Sequence, residues 1–576
     1  MTRSTLRSTL LGLRSTALAT GVALSLFAAG AQAQDAAGES TMIKLIRGLI
    51  DSGALKPEAG QALLLEAQRE AARTPTAAPA AGAIAAQPGD VRVPYIPQSV
   101  RDEIREEVKA GMMAQAKAEG WAAPDQVPDW TQRLRVQGDV RVRNESRLYS
   151  ERNSDIEVDW ARINAGNGYD VNGNTNLDLP PLRNTRQDRN NSWRIRARLG
   201  VVAELGEHTR AGVRLATGND NGPVSSTQTL GGGLAKKDAW LDQAWLSWAP
   251  LQGLDIIGGR FGNPYWSSDT LFSNDLNFDG LAIKYTRPLG DDGLSLFATL
   301  GLTPLEYSSD SFPTTSQNKM GSENKWLNGL QVGANWTFGD QQLRAALGYY
   351  DFRNIAGEYS QPCALYAGAD FCSSDWSRPA FMQKGNTLML LRNIALNPLD
   401  PANTPMPQYV GLASEFELLD LNLSWETPLF DGHALRVEGH GIKNLAYDRN
   451  AMWERAQGGI VTNLGAAANG VASAQDIDSG DMAYMVQATF GQLALKQAGD
   501  WNLWLGYKRL EADALPDAYN DSNFHLGGTN AKGYYLGSSY MFDKNVWLTG
   551  RWMAAKQVSG APQSIDVFQL EVNAGF

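Results

Sequence analysis

Phe568-Gln569-Leu570-Glu571-Val572-Asn573-Ala574-Gly575-Phe576, the last nine residues of the chain, carry the reading on which the rest depends. A β-strand turns successive side chains to opposite sides. Phe568, Leu570, Val572, Ala574 and Phe576 therefore share one face, and Gln569, Glu571, Asn573 and Gly575 share the other. One side of this strand is apolar and the other is polar. A strand of that kind divides an oily phase from a wet one.

Working back toward the amino end, a period of two governs the chain from Arg133 onward. It gives strand candidates at 133–144, 193–205, 209–217, 238–249, 254–261, 278–288, 293–303, 328–338, 342–352, 415–426, 433–443, 483–494, 500–511, 532–541, 545–556 and 565–576. These sixteen segments are near the ~9–11 residues that a tilted membrane strand needs. Turn chemistry joins alternate pairs: Gly206-Glu207-His208, Asp291-Asp292-Gly293, Gly339-Asp340, Asp431-Gly432, Gly499-Asp500 and Asp543-Lys544-Asn545. Between the turns lie long connections (145–192, 218–237, 262–277, 304–327, 353–414, 444–482, 512–531) and a shorter one at 557–564. Strict alternation of short and long connections is expected of a transmembrane barrel with tight turns at one rim and loops at the other. A soluble sandwich gives no reason for it. The fold class expected is an all-β, sixteen-stranded antiparallel transmembrane β-barrel preceded by a small α-helical segment.

The amino end agrees. Arg3, Arg7 and Arg14 precede an apolar run from Ala17 to Ala29, and Ala31-Gln32-Ala33 supplies small residues before Gln34. This reads as a secretory signal peptide over 1–33, since the run is far shorter than the ~20 residues of a helical span. Met42, Ile43, Leu45, Ile46, Leu49 and Ile50, then Leu63 to Leu65, predict a helical hairpin within 34–73. A Pro/Ala-rich linker fills 74–98. From Ser99 to about Glu119, Val100, Ile104, Val108 and Met112 recur at i+4. This predicts a helix, coiled coil or solvated, with a lead-in that runs to residue 130. The barrel takes 131–576.

Composition fits an exported barrel. Seventeen Trp and eighteen Tyr are many for so polar a chain, and they fall near strand ends, as interfacial girdles require. The net charge of −11 argues against a nucleic-acid partner. Cys363 and Cys372 lie nine positions apart, and no His is within 60 residues to complete a metal site. In an exported protein the pair is expected to form a loop-closing disulfide. Neither a metal nor a cofactor is expected.

These features resemble those of Gram-negative outer-membrane porins. The likeness is greatest to the group whose barrel follows a periplasmic helical segment. The matching stretches are Val93-Pro94-Tyr95-Ile96-Pro97, Glu119-Gly120-Trp121-Ala122-Ala123-Pro124, Trp130, Gly259-Arg260-Phe261-Gly262-Asn263-Pro264 and the terminal Phe576. The resemblance implies a water-filled outer-membrane channel for passive diffusion of small hydrophilic solutes or ions. It also implies a barrel that faces outer-membrane lipid and lipopolysaccharide and is commonly a homotrimer. An envelope tether is the other function considered, with the helical segment at 34–120 in the periplasm gripping peptidoglycan or a periplasmic partner.

Strand phase then sorts side chains between lipid and lumen. Leu134, Val136, Val140 and Val142 face out, so Arg135, Arg141 and Arg143 face in. By the same phase Arg194, Arg196, Arg198, Arg210 and Arg214 are pore-lining. An Arg on the lipid face near the bilayer midplane costs ~2–4 kcal/mol, which fixes the register. The resemblance implies that the third long loop folds into the barrel. Its Asp269, Asp275 and Asp279 would then oppose the arginine wall and set up a transverse field. The arginines would alternatively pair locally with Asp139, Glu145 and Glu204. Asp420, Glu426, Glu438 and Glu571, also luminal by phase, argue for weak anion preference or near-neutral selectivity. No catalytic residues are expected. His440 lies near Asn422 and Ser424 by register, but a solvated pore-lining histidine is the better reading. Gly231-Gly232-Gly233 lacks the Lys-Ser/Thr of a phosphate loop.

Overall fold

A computed structural model describes residues 129–576 apart from 171–178, 220–221, 291–292, 309–321, 362, 365–372, 396–398, 401–404, 431 and 468–469. The expected signal peptide, helical hairpin, linker and 99–119 helix therefore lie outside the described residues, as does Cys372 of the expected disulfide. The lead-in ends in a one-turn helix, α1 (Asp129–Gln132), directly before the first strand.

Sixteen long strands form one sheet. They are β1 (Leu134–Tyr149), β2 (Arg189–Glu204), β3 (Thr209–Thr217), β4 (Ala239–Leu251), β5 (Leu254–Gly262) and β6 (Asn277–Leu289). Then come β7 (Leu294–Glu306), β8 (Lys325–Phe338), β9 (Gln341–Arg353), β10 (Phe416–Phe430) and β11 (His433–Asn444). The last five are β12 (Met482–Gly491), β13 (Trp501–Leu510), β14 (Ala531–Asp543), β15 (Val546–Gln557) and β16 (Ser564–Gly575). Sequential neighbours pair antiparallel, and β1 pairs with β16 from Asp139↔Gly575 to Tyr149↔Ile565, which closes the barrel. Closure abolishes the free edges that would otherwise recruit another chain. The seam is tight. Gly138 and Phe576 exchange backbone hydrogen bonds of 2.9 and 3.0 Å, and a Cβ on Gly138 would strike the Phe576 ring.

The alternation read from the sequence holds in burial. Phe568, Leu570, Val572 and Phe576 are exposed on the outside, whereas Gln569, Glu571 and Asn573 are buried inside. Leu134, Val136, Val140, Val142, Trp193, Leu199, Val213 and Leu215 are exposed too. An isolated soluble fold would be penalised for so much exposed apolar surface, but a lipid-facing barrel requires it. Aromatics gather at strand ends. At the short-turn rim Phe490 and Trp501 meet edge-on at 5.7 Å, and toward the other rim Tyr484, Tyr507 and Tyr534 form a cross-strand ladder.

All sixteen expected strands are present, mostly within a few residues of the expected ends. The main deviations lie on the loop side, where β1 runs on to Tyr149 and β2 begins at Arg189. These extensions pair with each other through Arg147↔Arg189, beyond the length a bilayer needs. β12 stops early, at Gly491, whose φ of 119° takes the chain out of the strand. Asp279 is the clearest correction. It belongs to β6 rather than to the third loop, it sits opposite Arg260 in the β5–β6 register, and its two carboxylate oxygens accept from Arg260 Nη1 on the outward phase.

The interior is filled from the loop side. The third loop, 263–276, joins side chains of β6, β9 and β10 and of the other loops in one apolar cluster. It includes Tyr265, Leu271, Phe272, Phe278, Tyr350, Phe416 and Leu418. Tyr265 stands edge-on to Tyr350 at 5.0 Å, and Phe272 edge-on to Phe278 at 5.0 Å. Gly301 and Gly329 make the room, because a Cβ on either would collide with the Tyr265 hydroxyl.

Candidate functional site

The arginines expected on one wall are brought together, but not as free charges. In the β1–β2 register Arg141 faces Arg196 and Arg143 faces Arg194. Like charges directly opposite destabilise a sheet, so carboxylates are threaded between them. Asp139 bonds Arg196 at 2.7 Å and Arg198 at 2.6 Å. Glu145 takes Arg194 at 3.0 Å and Arg147 at 2.7 Å. Arg143, only 2% exposed, lies 2.6 Å from Glu571 and 3.5 Å from Glu145. Farther along, Arg210 meets Asp255 at 3.3 Å, Arg214 meets Asp242 at 2.5 Å, and Arg135 lies 3.9 Å from Glu204. Local pairing, the alternative weighed from the sequence, describes most of this wall.

Arg141 differs. Its guanidinium donates to the Thr227 hydroxyl, its Nε has no partner, and among the described residues no carboxylate lies within ion-pair distance. Thr227 is brought there by the second long loop, whose Gln228 and Thr229 add a short strand beside Ile195 and Arg194 of β2. No residue pattern announced that pairing.

The loop 263–276 contacts several strands around the barrel. Trp266 and Gln331 of β8 exchange two hydrogen bonds, at 2.9 and 2.8 Å, and Arg344 of β9 stacks 4.2 Å over the Trp266 ring. The Ser268 hydroxyl lies 2.6 Å from His440 Nδ1, and His440 Nε2 bonds Asp420. Asp269 pairs with Lys508 of β13 at 2.5 Å. Asp275 accepts from Arg196 at 3.2 Å, from Arg198 at 3.5 Å, and from both the backbone N–H and the hydroxyl of Ser226. Of the three acidic residues assigned to this loop, Asp269 and Asp275 thus reach opposing strands, whereas Asp279 does not.

His440 needs a correction. It is 3% exposed rather than solvated, and although Asn422 lies opposite it in the register as expected, its hydrogen-bond partners are Asp420 and Ser268. Asn422 instead donates to Asp420. A loop residue placed by tertiary folding made the difference. The Ser268 oxygen already accepts the Thr270 N–H, and the imidazole is shut from solvent. The trio fastens the loop to the wall.

Between loop and wall lies a cavity of about 290 Å³. Arg141, Arg143, Arg196 and Arg551 border it, and so do Asp269, Asp275, Asp521 and Glu571. Asp521 and its neighbour Asn523, which accepts from Arg143 at 2.9 Å, come from the seventh loop. Sequence reading missed both; only the acidic, Asn-rich character of 516–523 hinted at a polar role.

A family model described as "Putative porin" matches residues 39–576. The chain belongs to that family. The porin is thus an outer-membrane channel. No curated protein matches it. Solved structures similar to it include Pseudomonas putida OprB (11% identity, TM-score 0.40, covering 77% of this chain and 95% of that one). The outer membrane channel DcaP of Acinetobacter baumannii (10%, 0.34, 77% and 97%) and Salmonella typhi OmpF (11%, 0.34, 77% and 97%) are others.

Proposed function

We propose that the porin passes small hydrophilic solutes by passive diffusion through a constriction between the arginine wall and the third loop, with weak anion preference. The observation that carries this reading is the pair of charged borders around one cavity, four arginines and four carboxylates, with Arg141 lacking a carboxylate partner. Opposed charges across a narrow aperture bounded by protein orient dipolar solutes and ordered water. The pairing of most of the arginines holds down the net field, so strong phosphate-type selectivity is not expected. Arg141, the one of these four arginines without a carboxylate in ion-pair distance among the described residues, biases the balanced ring toward anions.

Family membership supports the homotrimer as part of the same proposal, with outer-membrane lipid and lipopolysaccharide against the apolar belt.

The test is the reversal potential across a planar bilayer in a salt gradient. The wild type should prefer anions slightly, Arg141→Gln should move selectivity toward cations, and Asp275→Asn, which leaves Arg196 and Arg198 to share the Asp139 carboxylate, should move it toward anions. Strong cation preference in the wild type, or no conductance, overturns the reading.

A further inference from the structure

A second cavity, of about 350 Å³, is enclosed by the long loops and shares no residue with the constriction. That volume is in the range of small-molecule sites. Its walls come from the loops 150–188, 354–415, 445–481 and 558–563, with Asn530 and Gln557 at the margin. Its apolar lining is Trp160, Leu388, Val461 and Leu464. Lys384 also lines it, and its ammonium donates at 3.2 Å to the side-chain oxygen of Gln563, a neutral amide. Among the described residues no carboxylate lies within ion-pair distance of it. A half-buried ammonium whose hydrogen-bond partner among the described residues is a neutral amide retains much of its demand for an anion.

The surroundings narrow the choice. Burial pushes the Lys384 ammonium down to about 8; Glu157 opposes this and Arg183 adds to it. Arg183 is already engaged, 3.4 Å from Asp159 and bonded to the Gln383 carbonyl. Glu157 and Asp478 also border the cavity, so a dianion would be repelled. One available cation among apolar lining residues, with two carboxylates also in the lining, matches a monoanion on an apolar body.

We propose that this loop cavity binds small monocarboxylates with an apolar or aromatic body, the carboxylate accepting from Lys384 and the body lying against Trp160, Val461 and Leu464. The site stands apart from the permeation reading, because binding here does not require that the constriction conduct.

The test is titration calorimetry of the full-length, detergent-purified porin with benzoate, benzamide and benzylamine. Benzoate should bind saturably and at least ten-fold more tightly than either neutral benzamide or cationic benzylamine. Lys384→Met should weaken benzoate at least ten-fold without affecting benzamide, and Lys384→Arg should stay within a few-fold of the wild type. Leu464→Trp, which fills the cavity and leaves the lysine in place, should abolish benzoate binding; it serves as the second arm if Lys384→Met fails to fold. Equal affinity for benzoate and benzamide, unchanged benzoate binding in either Lys384→Met or Leu464→Trp, or no saturable benzoate binding up to ~10 mM overturns the proposal.

Discussion

At the scale of single residues, the interior is governed by what it costs to leave a charge unpaired. Arg143 is held by Glu571, Glu145 and Asn523 and is almost fully buried. Removing one partner of such a pair costs ~3–5 kcal/mol, because the other charge stays behind in low dielectric. Glu571→Gln should lose an amount near the low end of that range, since Glu145 remains, measured as a lowered midpoint of guanidinium unfolding in detergent. Strand phase alone pointed Arg135, Arg141, Arg143, Arg194, Arg196, Arg198, Arg210 and Arg214 inward, and in the structure all of these but Arg141 sit in ion pairs. It did not tell which of them would be neutralised, because the partners Asp242, Asp255 and Glu571 lie on other strands.

At the scale of elements, the loops behave as packed structure. Tyr265 anchors the third loop in a ring cluster roofing the interior. Tyr265→Ala removes a large buried aromatic, a change worth ~3–5 kcal/mol in a packed core. The loop should loosen, seen as noisier single-channel current and faster protease cleavage within 263–276. The seventh loop is tied to the fifth through Asp517, whose backbone N–H donates to Asn386 and whose carbonyl accepts from Gln383. Among the described residues neither Asp517 carboxylate oxygen has a partner in good hydrogen-bond geometry, and burial pushes the group up to about 7 from 3.8 against the pull of Arg183 and the Gln383 backbone N–H. The folded loop therefore keeps a proton that the unfolded chain sheds, so this contribution to stability is full below about pH 4 and lost as the pH rises through about 7. Loop protection in hydrogen exchange should be weaker at pH 8 than at pH 5, and Asp517→Asn should remove that difference.

At the scale of the whole molecule, the barrel separates two solvents, and its stability depends on which side a charge is placed. Leu570→Arg puts a cation on the outward face and should cost ~2–4 kcal/mol if the site lies near the bilayer midplane. Gln342→Arg, on the inward phase of β9 at an exposed position opposite Glu426 in the register, should cost far less. Reversible unfolding from lipid vesicles, followed by tryptophan fluorescence, compares the two. The proposed selectivity should also fade with salt, since fields in water are screened over ~10 Å at 0.1 M and ~3 Å at 1 M. Reversal potentials at the two ionic strengths would show it.

The linear chain determined the strand count, the two-faced character of each strand and the rim that carries the loops. Those follow from a period of two and from turn residues, both of which are local. Tertiary structure decided everything that depends on two distant segments meeting. Asp279 turned out to be a strand residue paired with Arg260, His440 became a buried fastener for Ser268, and Thr227, Asp521 and Asn523 joined the cavity beside the arginines from loops with no periodic signal. A strand announces its two faces in its own sequence, whereas a loop takes its place from the partners it finds across the barrel.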